Sequence, residues 1–561
     1  MRLTDARLLL SASDLVAFLE CEHLSALDLR VAHGLELVAA PRTDVMELVA
    51  RKGDEHERAY LEALVGRGVE VVALPSVHDG VIDQAEAVAR TEEAMRGGAD
   101  VIYQAALRHG GWRGFADFLE RVPAPSPAFG EHSYEVLDTK LARHAKPRHI
   151  VQLCVYSDLL ARVQGHRPEW MHVLLGSGER QSFRVDEFFA LYRRLRRRYR
   201  ARLAEEFTGT YPDPVEHCEL CRWSVHCDAR RADDDHLSLV AGLRRDQTAR
   251  LSDAGITTVA RLASVGPGER PESLAPETFE QLREQARLQV HERSTGEQIY
   301  ELVAPAEDRG FARLPEPRPG DLFFDIEGDP FFAGEGLEYL LGVTRLEVGE
   351  PVYRAFWAHD RGEEKRAFEA FVDFVIAALA EEPSLHVYHY APYESTALKR
   401  LAGRHRTREA EVDRLLGDGV LVDLYAVTRQ AVRLSKPGYS LKQVEAFYMG
   451  ARGEDVTDAG DSIVRFEQWV DRGEQSLLDA IEAYNEVDCV STVKLHRWLL
   501  ERRREAERRF ATTIPWRWAR TTRAVDPEAS DDEDEDEPRL TEHMRLVNEL
   551  SRLVERAESS P

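Results

Sequence analysis

The sequence predicts an α/β, multidomain protein. Three observations carry that expectation. Over the first 235 residues, helical periodicity alternates with short β-rich runs. A stretch rich in Pro and charge, residues 305–320, then interrupts the pattern. Beyond it a buried-type strand opens a second series of strands and helices. With 561 residues the chain has room for several cores, and its 43% hydrophobic content is ordinary for globular domains. We expect domains at 1–235 and 321–505, a small helical module at 236–304, a linker at 305–320 and a tail at 506–561.

Residues 11–30 read as a capped helix, with Ser13 or Asp14 near its start and Cys21 within it. Residues 44–65 form a second helical stretch carrying His56. A strand at 69–74, a helix at 82–96 and β-rich runs at 101–107, 112–120 and 134–140 follow. Asp117 lies in the second of these runs, and Asp138-Thr139-Lys140 ends the third. The next helix, 150–163, carries Gln152 and Tyr156 four residues apart, hence on one face. Short strands at 170–175 and 182–185 lead to a helix at 188–203 bearing Arg193, Arg194, Arg196, Arg197, Arg198, Arg200 and Arg202. That helix reads equally as a solvated face or as a phosphate-contacting surface.

Three of the six cysteines, Cys218, Cys221 and Cys227, fall within ten residues, and Cys21 lies far upstream. Thiolates hold iron–sulfur clusters or zinc in four-ligand shells. A zinc ribbon shows two close Cys pairs, and Cys21 has no close partner. One distant Cys plus Cys-x2-Cys-x5-Cys therefore suits a cluster closing a long loop better than zinc, although zinc with His217 or His226, and unliganded thiols, are the other readings. Cys154 and Cys489 fall in helical stretches and read as small buried hydrophobes.

Phosphodiester hydrolysis needs a hydroxide and charge neutralisation at the scissile phosphate. Asp117 and Asp138 at adjacent strand ends can hold one or two Mg²⁺ or Mn²⁺ ions, and His56 can add a ligand. Lys140 can orient water or stabilise developing charge, and Gln152 and Tyr156 can position the substrate backbone. In this order the set resembles the PD-(D/E)xK nuclease superfamily and, more narrowly, its RecB-like branch; Ala116 stands where the superfamily name has Pro. The resemblance implies a restriction-endonuclease-like fold. With the four cysteines it is similar to the branch that includes AddB nuclease domains and CRISPR-associated adaptation exonucleases, which implies a 4Fe–4S cluster on Cys21, Cys218, Cys221 and Cys227.

Residues 251–262 pair two short helices around Gly255 and resemble helix-hairpin-helix modules, whose turn approaches DNA phosphates; a structural spacer is the other reading. After the linker, residues 322–330 read as a strand ending in Asp325 and Glu327. A hairpin at 339–346 and 352–357, a helix at 365–379 and a strand at 386–390 precede Glu394, which opens another helix. A short strand at 420–424 contains Asp423, and a long helix at 476–500 carries Tyr484 and Asp488 at i, i+4. Four acids from a strand, a helix start and a distant helix can converge on two metals. The ordered set Asp325, Glu327, Glu394, Tyr484 and Asp488 resembles RNase H-like DEDD exonucleases, closest to the YprB-like set, although Glu394 stands where that class usually has Asp. The resemblance implies metal ligation by the four acids, a water-orienting Tyr484 and 3′→5′ polarity.

The net charge of −26 argues against a nucleic-acid partner, but residues 526–537 alone carry nine acids and no base, and nuclease sites themselves concentrate carboxylates. That acidic run is expected to be disordered, and residues 540–557 to form an amphipathic helix. No apolar run approaches the ~20 residues of a membrane span, the first residues lack a signal-peptide pattern, and sparse cysteine suits a reducing cytoplasm. No P-loop motif occurs. Over roughly residues 10–500 the chain resembles RecB-like nucleases carrying a YprB-like domain. Some of these continue into a helicase, so the chain reads as a short form or a fragment, with a helicase expected in trans or in a longer form. The expected activity is that of a metal-dependent deoxyribonuclease, an exonuclease on DNA ends or single strands. A nucleic-acid-binding scaffold with an inactive site, and an RNA-processing exonuclease, are the alternatives.

Overall fold

A computed structural model describes residues 1–4, 7–75, 83–450, 459–517 and 542–558. The first elements are β1 (Arg2–Thr4), β2 (Arg7–Ser11), α1 (Ala12–Glu20), α2 (Glu22–Ala32), α3 (Asp44–Gly66), β3 (Val71–Ala73), α4 (Gln84–Gly97), β4 (Val101–His109), β5 (Trp112–Val122) and β6 (Ser133–Lys140). They continue with α5 (Pro147–Gln164), β7 (Trp170–Leu175), β8 (Arg180–Arg184), α6 (Val185–Ala204) and α7 (Ser224–Asp233). Next come α8 (Arg245–Asp253), α9 (Val259–Ser264), α10 (Pro276–Thr295), β9 (Tyr300–Leu302), β10 (Leu322–Asp329), β11 (Leu337–Glu347), β12 (Glu350–Trp357), α11 (Arg361–Glu381) and β13 (Val387–His389). The last are α12 (Tyr393–His405), α13 (Glu409–Gly417), β14 (Leu421–Asp423), α14 (Leu424–Ala431), β15 (Val432–Leu434), α15 (Leu441–Glu445), α16 (Ala459–Arg472), α17 (Gln475–Arg509) and α18 (Glu542–Glu558). Among the described residues no helix is long and apolar enough to cross a membrane. The acidic run 526–537 lies outside the described residues.

Two units emerge. Unit 1 comprises Met1–Arg230, Phe331–Glu335 and Pro538–Pro561, and unit 2 comprises Arg231–Pro330 and Gly336–Glu537. Residues 231–235, placed with the first domain on sequence grounds, group with unit 2, and residues 538–561 of the tail group with unit 1.

Unit 1 is built on an eight-stranded mixed sheet ordered β1-β2-β5-β6-β7-β8, with β3 and β4 joined on the other side of β5. β6 is its centre: Tyr134, Val136 and Leu137 are fully buried, because helices cover one face and α3 meets the other. A strand buried on both faces tolerates such a near-continuous apolar run. The edge of β5 facing β6 is shared. β2 pairs in parallel with Trp112 and Arg113, and β6 pairs antiparallel with residues 118–122, so residues 114–117 pair with neither. On the opposite edge the β4 ladder skips Gln104, whose φ of 58° is left-handed. The sheet therefore opens around Asp117, which lies mid-strand rather than at the expected strand end. The expected single helix at 11–30 is two helices. Ser11 caps α1 in a reciprocal capping box with Asp14, and Cys21 sits in extended conformation at the break between α1 and α2, not within a helix.

Unit 2 carries a five-stranded sheet ordered β12-β11-β10-β13-β14, antiparallel on the β11 side of β10 and parallel on the β13 side. Alternation along β10 splits its side chains. Leu322, Phe324 and Ile326 enter one core with Phe368 and Phe371 of α11, whereas Phe323 enters another with Val493 and Leu495 of α17. Asp325 and Glu327 share the parity of Phe323, so they point toward α17. The helical module before this sheet contains α8 and α9 on either side of Gly255, whose φ of +81° makes the turn.

Candidate active sites

In unit 1 Asp117, Asp138, Lys140, Gln152 and Tyr156 come together at the opening in the sheet. Asp117 Oδ2 accepts the backbone N–H of Thr139 at 2.8 Å and its hydroxyl at 3.0 Å, so a carboxylate replaces the missing ladder bond. Asp138 is fully buried and forms an ion pair with Lys140. Gln152 donates from Nε2 to Asp138 Oδ1 at 3.3 Å and to the Tyr156 hydroxyl at 3.1 Å, so the i, i+4 pair on α5 does face the acids. Gly114 makes room for this: a Cβ there would come within 2.6 Å of the Tyr156 ring. Burial and repulsion from Asp117 push Asp138 up to about 8, against the pull of Lys140. Burial opposes the Lys140 ammonium, but Asp138, Asp117 and Glu57 together hold its pKa above the ordinary lysine value. An acid pair whose full ionisation one lysine cannot balance is a site that favours a cation.

The structure adds a residue that sequence reading passed over. His56 turns its Nε2 to the Leu174 carbonyl at 3.4 Å. Its neighbour Glu57 faces the acids instead. Burial and then Asp117 raise the Glu57 pKa, while Tyr103 and Gln104 hydrogen-bond its carboxylate. The signal was present: Glu57 shares its helix face with Tyr60 and Leu64, which pack onto the sheet. An acid on a buried stripe calls for a partner charge.

The cysteines gather at the foot of α1 and α2. Cys21, Cys221 and Cys227 pack with Leu24, Leu27 and Trp223. Three of the four sulfurs accept backbone N–H groups: Cys218 from Val215 at 3.4 Å, Cys221 from Trp223 at 3.4 Å, and Cys21 from Leu24 and His23. Burial first, and mutual repulsion with Cys218 after it, raise the Cys21 and Cys221 thiols. Buried Asp28 locks the turn by accepting the Trp223 indole N–H at 2.8 Å and pairing with Arg222. Converging sulfurs that already receive N–H donors fit a thiolate-bound metal centre, whose charge would relieve their repulsion. The basic helix α6 is less available than its composition implies. Arg196 pairs with Asp158, Arg198 and Arg202 with Glu22, and Arg194 with Glu549, leaving Arg193, Arg197 and Arg200 among the exposed arginines.

In unit 2, ligand oxygens of Asp325, Glu327 and Asp488 lie within 4.8 Å of one another, the one such group of three among the described residues. Strand alternation aims the first two at α17, and Asp488 meets them from one helical turn after Tyr484. Burial and repulsion from Asp488 push Glu327 up to about 8. Asn485, fully buried, donates to Asp325 Oδ2 at 2.7 Å and accepts the Tyr353 hydroxyl at 2.7 Å, which fixes the Asp325 rotamer. Tyr484 is buried, with the Lys442 ammonium 5.7 Å from its ring centre.

Glu394 stands apart from the trio. It opens α12, and His389 Nδ1 lies 3.4 Å from its Oε2. That buried oxygen accepts no hydrogen bond, and burial raises the Glu394 pKa. The turn that presents it is strained: Ala391 adopts φ 75° and is held by Asp423, which accepts its N–H at 2.9 Å, and by His389, which donates to its carbonyl at 2.7 Å. The Cys489 thiol is driven well up by burial and then by Asp325, Asp488, Glu394 and Glu327. Three crowded carboxylates fit a divalent-cation site, and Glu394 adds a buried oxygen without a hydrogen bond outside that trio. His389, Asp423 and Asn485 carry no spacing signal in the sequence, because each acts through a contact formed only on folding.

No curated protein matches the chain. A family model, RNase_H_2 of the RNase_H superfamily, matches residues 322–500. That span runs from the first residue of β10 into α17 and contains all five expected site residues of unit 2. Residues 322–500 are therefore an RNase H-like domain, a fold whose acidic site points to metal-dependent nuclease chemistry.

Proposed function

We propose that the protein is a metal-dependent deoxyribonuclease with two sites, a PD-(D/E)xK site in unit 1 and a DEDD exonuclease site in unit 2, acting on DNA ends or single strands. The observation that carries this reading is the convergence of Asp325, Glu327 and Asp488 inside an RNase H-like domain. Bound Mg²⁺ or Mn²⁺ supplies positive charge at the scissile phosphate and lowers the pKa of the attacking water. Around it, Asp325, Glu327, Glu394 and Asp488 are the ligands in unit 2, and Tyr484 orients the water. In unit 1, Asp117, Asp138 and Glu57 are the ligand carboxylates, with His56 as a further candidate, and Lys140 stabilises charge on the phosphate. Gln152 and Tyr156 hold the nucleic-acid backbone against α5. Helices α8 and α9 are a helix-hairpin-helix-like module, and a helicase in trans or in a longer form supplies unwound DNA. The protein works in the cytoplasm, in repair, recombination or defence.

Digestion of labelled single- and double-stranded DNA and RNA with Mg²⁺, Mn²⁺ or EDTA tests this. DNA cleavage that EDTA abolishes is expected; cleavage of RNA alone would overturn the substrate assignment. A second reading, a domain that binds DNA without cutting it, draws on the separation of Glu394 from the trio. It requires that the Asp138→Ala protein cut nothing yet bind single strands.

Cys21, Cys218, Cys221 and Cys227 would hold a 4Fe–4S cluster that clasps the two ends of the unit 1 nuclease. Anaerobically purified protein is then expected to be brown, with iron and sulfide in equal amounts. Zinc without iron would reject the cluster.

A further inference from the structure

Helix α18 belongs to unit 1 although all of unit 2 lies between it and α6 in the chain. Its apolar positions Leu546, Leu550 and Val554 recur every fourth residue, and none is more than 3% exposed. They enter the unit 1 core over a cleft lined by Leu19, Val151, Cys154, Leu191 and Leu195 of α1, α5 and α6. Polar contacts fix the helix along its length. His543 Nε2 lies 2.9 Å from the Leu19 carbonyl at the start, Glu549 pairs with Arg194 in the middle, and Glu558 accepts the Ala145 N–H at 3.0 Å at the end. The half-exposed Arg194–Glu549 pair contributes little energy and serves register.

The placement matters because of what α5 does on its other side. Val151 and Cys154 meet α18, whereas Gln152 and Tyr156 reach Asp138 and lie over Gly114. Ala145 belongs to the segment 141–146 that joins Lys140 to α5. One helix thus touches both the outer face of α5 and the connection that leads into it from the acidic strand. We propose that α18 is a docked clamp that positions α5, and through it Gln152 and Tyr156, so that the unit 1 site is complete only when the far end of the chain is seated. This rests on the nuclease reading of unit 1. The residues of α18 are positioning residues, remote from the reacting atoms. A 17-residue amphipathic helix is marginal by itself in water, so its folding and its docking are one event.

The test uses the full chain with Leu546→Glu and Leu550→Glu together. Three quantities are measured: hydrogen exchange across residues 147–164, labelling of Cys154 by a thiol reagent resolved by peptide mass, and Mn²⁺-dependent cleavage that Asp138→Ala removes. The expected result is exchange in α5 and labelling of Cys154 faster by roughly tenfold or more, as for loss of a local packing partner, with cleavage reduced in proportion. A synthetic peptide of residues 540–558 added in trans restores all three, which also shows that the variant is folded. Unchanged protection of Cys154 would overturn the docking. Labelled Cys154 with unchanged α5 exchange would reduce α18 to a cover and overturn the positioning role. If wild-type protein shows no cleavage sensitive to Asp138→Ala while α5 exchange still responds, the clamp stands and the nuclease reading of unit 1 fails.

Discussion

In unit 1 the acids meet where a sheet is interrupted, at Gln104 and Asp117, whereas in unit 2 two of them lie on a strand whose ladder stays regular through Glu327. The two constructions handle charge differently. Unit 1 carries its counter-ion: Lys140 sits against Asp138, so the pair is half-neutral before any cation arrives. In unit 2 burial and Asp488 dominate at Glu327, and Lys442 opposes them only weakly. A broken sheet frees backbone groups that a carboxylate can satisfy, as Asp117 does for the Thr139 N–H. An intact strand leaves its acids to be fixed by side chains from the covering helix, as Asn485 does for Asp325. The comparison predicts that unit 1 tolerates loss of cation better and that unit 2 depends on it more completely.

The largest expected effect is at Asp325, an acid of the unit 2 trio. In an Asp138→Ala background, Asp325→Ala is expected to remove several kcal/mol of transition-state stabilisation, about a thousandfold in exonuclease rate. A rate within tenfold of the Asp138→Ala parent would break the contrast between the sites. Next is Lys140→Ala, with an expected loss of about a hundredfold or more in Mn²⁺-dependent cleavage by unit 1, because the proposed site loses a fixed cation. In the same assay Glu57→Ala is expected to cost more than His56→Ala, since Glu57 faces Asp117 and His56 turns to a carbonyl. The reverse order would restore His56 as the ligand.

The acid side of the stability curve offers a third test. Burial lowers His496 in unit 2 to about 4, and its ring packs 4.2 Å from that of Tyr388. The unfolded chain takes up this proton near pH 6.5, whereas the folded state resists it until about pH 4. Stability from keeping the ring neutral is therefore present above pH 6.5 and is lost as pH falls toward 4, by about 3 kcal/mol at most. Thermal melts of His496→Phe are expected to lose that slope, while the wild type keeps it; parallel slopes would remove His496 from the account. The smallest effect is Tyr484→Phe, which keeps every carboxylate and removes one hydroxyl. A loss of about tenfold or less in unit 2 cleavage is expected, near 1 kcal/mol, measured as kcat in the Asp138→Ala background.

Much of both sites was legible in the sequence because local periodicity encodes direction. Asp325-x-Glu327 must share a strand face, and Gln152 with Tyr156, or Tyr484 with Asp488, must share a helix face. Those pairings hold in the structure, and all the expected site residues of unit 2 fall inside the matched RNase H-like span. Periodicity says nothing about which charge a face will meet. That is why spacing favours His56 over Glu57, and why it groups Glu394 with three acids when its oxygen lies beside His389. It is also why seven arginines on one helix read as a free basic surface, when Asp158, Glu22 and Glu549 neutralise several of them.

By itself, then, the chain determined which residues share a face, where strands and helices alternate, and at what spacings its carboxylates and cysteines stand. Tertiary structure alone decided that Cys21 sits at a helix break, that the sheet opens at Asp117, that a strained Ala391 presents Glu394, and that α18 closes over α5. The physical reason is range. Spacing acts over a turn or a strand, through fixed backbone geometry. Burial, charge pairing and the seating of a remote helix depend on segments that only folding brings together, and a sequence lists those segments without saying which will meet.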